Sequence, residues 1–159
     1  GDSVGGVVEI IVKGCPIGLG DPAFDKLDAV IGHALLSIGT IKGIEFGSGF
    51  SGTRMSGHEH NDAFQVSDGA VSTQTNYAGG ILGGISNGED IICRVAVKPP
   101  SSITKSQDTV TKNAESTKVE VHGRHDPCIC PRVVPVVESM MAIAILDCLL
   151  IQKAMGPIQ

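Results

Sequence analysis

The 159-residue sequence predicts an α/β or α+β fold. Three observations carry this. Runs rich in β-branched residues at 7–12, 41–46 and 91–97 read as strands, each bounded by Gly, Pro or polar clusters. Between the first two, Phe24, Leu27, Ile31, Ala34, Leu35 and Ile38 recur at helical spacing. From about 133 to 153 the chain is almost continuously apolar, yet it holds Glu138 and Asp147. A membrane span should carry fewer charges, so this segment is expected to be a buried helix packed inside the fold.

Taken in order, the strand at 7–12 follows a Gly pair. Cys15 to Gly20 is a turn-rich connector. Asp21-Pro22 should open the first helix, with Asp as its cap, Pro in the first turn and Gly39 as the stop. The strand at 41–46 leads into a tight loop, residues 47–52. Residues 54–75 are polar and irregular and are expected to form a loop. A Gly-dense stretch, 76–88, precedes the strand at 91–97. Residues 104–117 should be exposed, and 118–121 a short strand. The last helix should begin near Val133, with Pro135 in its first turn, where a missing N–H costs nothing.

Composition narrows the function classes. The chain is 42% hydrophobic and 18% charged, enough apolar material for a core. Aromatics make up 3%, so that core must be aliphatic. A net charge of −5 lacks the basic footprint of a nucleic-acid binder. Five cysteines, an odd number without regular spacing, read as reduced thiols of a cytosolic-type protein. The chain opens Gly1-Asp2-Ser3-Val4 without Met and enters a β-like segment at once, so it is expected to begin inside a longer protein.

Four segments could carry chemistry. The Gly pairs at 79–80 and 83–84 allow close backbone approach to a flat or anionic ligand, or form a plain turn between strands; their spacing is not that of a dinucleotide-binding loop. Lys98-Pro99-Pro100-Ser101-Ser102 ends a strand with a cation, a rigid turn and two hydroxyls, which suits a phosphate group or a solvent-facing loop equally. Arg124-His125-Asp126 sets a cation, an imidazole and a carboxylate side by side. It could bind an anion and relay a proton, or simply form a salt-bridged turn before the last helix. His122, His125, Cys128 and Cys130 are zinc-ligand types, but C-x-C is tighter than the usual C-x-x-C, so no metal is expected. His58-Glu59-His60 reads as a solvated loop.

The order of these segments resembles one family. Asp2-Ser3-Val4-Gly5-Gly6, Gly18-Leu19-Gly20, Phe24-Asp25-Lys26-Leu27, Lys42-Gly43-Ile44-Glu45 and Gly47-Ser48-Gly49-Phe50 are followed by Asn76 and residues 79–88. Lys98-Pro99 comes next, then Gly123-Arg124-His125-Asp126-Pro127-Cys128 with Arg132, Pro135 and Glu138 behind it. Together they resemble the C-terminal half of chorismate synthase, from residue 1 to about 155.

The resemblance implies an α+β fold in which a β-sheet packs on long apolar helices in a β-α-β sandwich, with residues 1–159 as its C-terminal part. It implies elimination of phosphate and a proton from 5-enolpyruvylshikimate 3-phosphate, in a 1,4 sense, to give chorismate in the shikimate pathway. Reduced FMN is required without net redox change. By resemblance, Gly39 and Thr40 are flavin-contacting, in place of an expected Asn-Ala pair and hence through backbone. Gly83 approaches the flavin, and Lys98, Pro99, Pro100, Ser101 and Ser102 form the flavin-binding run. Arg124 touches flavin and substrate, Asp126 manages a proton at the flavin, and His125 belongs to the same motif. The family's upstream segments, with a catalytic His and several substrate-binding Arg, are absent from this sequence, so the chain alone is expected to be inactive. The resemblance further implies a cytoplasmic homotetramer without nucleic-acid or membrane partners. Some relatives reduce the flavin with NADPH and others rely on an outside reductant.

Overall fold

The computed structural model describes residues 1–67 and 69–156. Its centre is an antiparallel three-stranded sheet in the order β1 (Gly6–Val12), β7 (Ile91–Val97), β2 (Ile41–Phe46). The expected strands are all present, and their alternation sets the layers. On β7, Ile91, Cys93, Val95 and Val97 face inward and are buried. The register brings Val8 opposite Val95 and Ile10 opposite Cys93 on one side, and Ile44 opposite Val95 on the other. Arg94 and Glu45 pair across the outer face at 3.0 Å.

Two helices cover the inner face. They are α1 (Leu27–Leu36) and α3 (Cys130–Met155), packed on one another, with α1 also on β2 and α3 also on β1. Leu27, Ile31 and Leu35 of α1 are fully buried, as is Val137 of α3. This is the α+β arrangement expected: a sheet on one side, long apolar helices on the other.

Both helix starts differ from expectation. Asp21-Pro22 does not open α1. Phe24 sits at φ 62°, a left-handed value that no helix interior tolerates. The helix begins only where the Leu27 N–H donates to the Gly84 carbonyl at 2.8 Å. At the other end of the chain α3 begins at Cys130, so Pro131 occupies the first turn and Pro135 lies inside the helix. Pro135 has no N–H to close the bond to the carbonyl four residues earlier, while its own carbonyl accepts from the Ser139 hydroxyl at 2.7 Å.

The expectation that α3 is buried throughout is also corrected. By length and composition α3 could cross a membrane. Instead it buries one stripe, Val133, Val137, Met141, Ala144 and Cys148, against α1 and β1. Val134, Ile143, Leu146, Leu150 and Ile151 on its other sides are exposed. The residues described here form layers on one side of the helix only.

The polar stretch 54–75 is more ordered than its composition suggests. A short helix α2 (Gly57–His60) starts at a reciprocal cap between Ser56 and Glu59, and β3 (Phe64–Ser67) pairs with β4 (Ala70–Thr73). Within the Gly-dense stretch β5 (Ile81–Leu82) and β6 (Ile85–Ser86) form a minimal hairpin. The exposed 104–117 region holds β8 (Gln107–Val110), paired with β9 (Ser116–Val119); the expected strand at 118–121 thus lies two residues earlier.

Candidate functional site

The sheet assembles a site at the end where β7 finishes and β2 starts. The turn leaving α1 carries Gly39 and Thr40, and the Thr40 carbonyl accepts from the Lys98 N–H at 2.9 Å. Thr40 has φ 79°. For a β-branched residue that is an outlier, costing about 1–3 kcal/mol and persisting only where the surroundings over-determine it. Its Oγ1 is buried and has no hydrogen-bond partner among the described residues. A strained backbone and an orphaned buried hydroxyl thus coincide beside the Lys98 backbone.

The N-terminal residues stitch this corner to the last turn before α3. Ser3 donates its hydroxyl to the Pro100 carbonyl at 2.6 Å. One residue later the Val4 N–H donates to the Pro127 carbonyl at 2.8 Å. Gly5 lies so close to the Val97 carbonyl and the Pro99 ring that a β-carbon there would collide with both. Lys105 anchors the strip from outside through Asp2 at 2.7 Å, an exposed pair that contributes little to stability. As a result the Val97–Pro100 segment meets the strip on one side, and His125, Asp126 and Pro127 meet it on the other.

A cavity of about 220 Å³ opens against the strip, lined by Asp2, Thr104, Gly123, His125, Asp126 and Pro127 among others. His125 is held by its Nε2, 2.9 Å from the Val121 carbonyl. Asp126 is oriented by the Arg132 guanidinium, Nε to Oδ2 3.0 Å. Arg124, Lys98, Ser101 and Ser102 are exposed, so their charges and hydroxyls are available to a ligand.

Gly83 is not brought to this corner. It turns between β5 and β6 at φ 61°, exposed, and its neighbour Gly84 caps the start of α1. Thr40 lies beyond the opposite end of that ten-residue helix, which spans about 15 Å. The adjacent Asn87 has a buried Nδ2 without a partner among the described residues, so the Gly-rich end carries an unsatisfied polar atom of its own.

The four zinc-type side chains do not converge. His122 faces Glu120 at 3.9 Å, His125 is bonded to backbone, and no group of three or more His, Cys, Asp or Glu is placed to hold a metal ion among the described residues.

Sequence reasoning missed two organisers. Ser3 and Val4 had no signal beyond their place in a motif, because their contribution is a hydroxyl and a backbone N–H aimed at distant carbonyls. Asp62 was read as part of a polar loop, yet it is buried and fixes the Gly-rich segment. It accepts from the Thr75 hydroxyl at 2.7 Å and from the Tyr77 and Ala78 N–H groups at 2.8 Å each. Burial acts to raise the Asp62 carboxyl, but those three donors outweigh it and hold it below the usual carboxylate range. Nearby, His60 is not a solvated loop residue. Its Nε2 lies 2.7 Å from Ser48 Oγ, and its ring sits 5.7 Å from that of Tyr77.

Comparison with known proteins adds the family context. A family model described as chorismate synthase matches residues 1–150. The chain is 54% identical to a chorismate synthase of Archaeoglobus fulgidus over 153 residues, 96% of this chain and 42% of that one. It is 54% identical to one of Opitutus terrae, covering 92% of this chain and 40% of that protein. A Methanosarcina barkeri chorismate synthase is 52% identical across 99% of this chain and 43% of its own length. A solved structure titled "Crystal Structure of Chorismate Synthase" superposes with a TM-score of 0.75 at 32% identity, covering 96% of this chain and 39% of that one. The chain therefore spans about two fifths of the relatives it matches.

Proposed function

The chain belongs to the chorismate synthase family, and from that premise we propose that it is the C-terminal part of an enzyme that eliminates phosphate from 5-enolpyruvylshikimate 3-phosphate to give chorismate. The observation that carries the ligand-binding part of this reading is Thr40. A β-branched residue held at φ 79° with an orphaned buried hydroxyl beside Lys98 fits a corner completed by a bound group.

The donor set fits a flavin phosphate. Lys98 brings positive charge, Ser101 and Ser102 bring hydroxyl donors, and Pro99 and Pro100 stiffen the turn. Gly39 and Thr40 meet the ligand through backbone and through the unpartnered Oγ1. Arg124, exposed across the N-terminal strip, neutralises the anionic substrate. Asp126 Oδ, oriented by Arg132, moves a proton at the edge of the site, and His125 shapes the wall of the cavity. Reduced FMN, when bound, supplies transient electron density as phosphate departs. Gly83, at the far end of α1, serves a contact that this corner does not make.

The proposal includes incompleteness: the chain binds but does not turn over by itself, and the full-length enzyme works as a cytoplasmic tetramer with NADPH or another reductant restoring the flavin. The exposed apolar side of α3 supports that part, since Ile143, Leu146 and Leu150 face no layer among the described residues. The experiment is an FMN titration with substrate present, followed by an anaerobic chorismate assay with reduced FMN. FMN binding weakened by Lys98→Ala and Arg124→Ala, without turnover, is the expected result. FMN binding indifferent to both variants refutes the site, and chorismate produced by this chain alone refutes the incompleteness.

A further inference from the structure

We propose that Ser3 and Gln107 are positioning residues that hold the backbone N–H groups of Ser101 and Ser102 ready for an anion, and so build the phosphate end of the site along the Lys98–Ser102 run. This rests on the flavin-phosphate reading above and adds the residues that set its donors. Few backbone N–H groups in the run are free for a ligand. Pro99 and Pro100 have none. The Lys98 N–H is occupied by the Thr40 carbonyl at 2.9 Å. Ser101 and Ser102 remain, both exposed, and their N–H groups donate to no partner among the described residues.

Each of these N–H groups is set by the carbonyl before it. A peptide unit is planar and trans, so the C=O of one residue and the N–H of the next point in opposite directions. The Ser3 hydroxyl donates to the Pro100 carbonyl at 2.6 Å, which turns the Ser101 N–H away from the N-terminal strip. The Gln107 side chain, at the start of β8, donates through Nε2 to the Ser101 carbonyl at 3.0 Å. That turns the Ser102 N–H away from Gln107. Pro99 and Pro100 fix their own φ at about −65°. What remains to be held is the rotation of the two peptide units that follow, and each is held by one of these bonds. Without the bond, either unit is free to flip and present a carbonyl oxygen, which repels an anion, in place of its N–H.

The two clamps share one scaffold. Lys105, between Ser102 and Gln107 in sequence, is tied to Asp2, the neighbour of Ser3, at 2.7 Å. Ser3 acts from 97 positions away and through a carbonyl, so it carries no mark of a binding residue. Two oriented N–H donors, two hydroxyls and the Lys98 cation suit a phosphate monoester.

The test compares FMN with riboflavin, which lacks only the phosphate, by titration of the protein with substrate present. Wild type is expected to bind FMN about 100-fold tighter. Ser3→Ala and Gln107→Ala should each reduce that preference by about 3- to 10-fold, the effect of one lost hydrogen bond, and leave riboflavin binding unchanged. Ser3→Thr keeps the hydroxyl and retains the preference. Inorganic phosphate alone should shift the amide resonances of Ser101 and Ser102 in wild type, and shift them less in both Ala variants. A preference that Lys98→Ala lowers but neither Ser3→Ala nor Gln107→Ala alters overturns the positioning role and leaves the flavin-phosphate reading standing. So does phosphate that moves neither amide. Ala variants that weaken FMN and riboflavin alike also overturn it, since that is a loss of structure and not of phosphate donors. Wild type that binds FMN and riboflavin equally removes the flavin-phosphate reading itself, and this proposal with it.

Discussion

Replacing Thr40 by Gly should make the protein more stable while weakening whatever binds beside Lys98. The wild-type residue holds φ 79°, a conformation that costs a β-branched residue about 2 kcal/mol and Gly almost nothing. Its Oγ1 is buried without a partner among the described residues, and removing such a group recovers about 1 kcal/mol. Against this stand about 1 kcal/mol of extra backbone entropy for Gly in the unfolded chain and about 1 kcal/mol of lost methyl burial. The balance is a gain of about 1 kcal/mol, or about 2–4 °C in midpoint for a chain of this size. Urea and thermal melts of wild type and Thr40→Gly measure it, and FMN titration of both measures the cost to binding. A variant less stable than wild type by about 1 kcal/mol or more sinks the reasoning, because the hydroxyl would then be satisfied and the turn unstrained. A more stable variant that binds FMN as tightly as wild type would detach the strain from the site.

Three further outcomes follow from the same structure. Asp62→Asn puts an amide N–H against the Ala78 N–H and should cost about 2–4 kcal/mol at neutral pH. Because the folded carboxyl is held below its unfolded range, Asp62's contribution is complete above about pH 5 and fades as pH falls through the folded value, so the urea-melt gap between variant and wild type should close toward acid. Met141, 2% exposed, and Ile143, 60% exposed, sit on opposite sides of α3. Met141→Ala should cost about 2–5 kcal/mol and Ile143→Glu less than about 0.5, and equal costs would contradict the one-sided packing. Lys98→Ala and Arg124→Ala should each weaken FMN binding in the presence of substrate by about 10- to 100-fold with unchanged melting, as expected for a lost charge-assisted contact.

Much of this molecule was legible in the sequence. Runs rich in β-branched residues, bounded by Gly, Pro or polar clusters, gave β1, β2 and β7 nearly to the residue, because such side chains pack best on a pleated surface. The apolar run gave α3, and the motif order gave the family. Helix boundaries were not legible. Asp21-Pro22 is a sound local start signal, but α1 starts where the Gly84 carbonyl, 57 positions away, meets the Leu27 N–H, and Pro135 is interior because α3 begins at Cys130. Nor could spacing show that α3 buries a single stripe, since an all-round apolar helix looks the same whether one layer or two cover it. The site divides in the same way. Lys98, Arg124 and Asp126 announce themselves by chemistry and motif. That the Lys98–Pro100 and Asp126–Pro127 segments meet across the N-terminal strip, that Gly83 stands at the other end of α1, and that Thr40 is strained with an orphaned hydroxyl were decided by tertiary structure alone. Local propensity acts over a few residues; these features depend on hydrogen bonds between segments about a hundred residues apart, such as Ser3 to Pro100 and Val4 to Pro127.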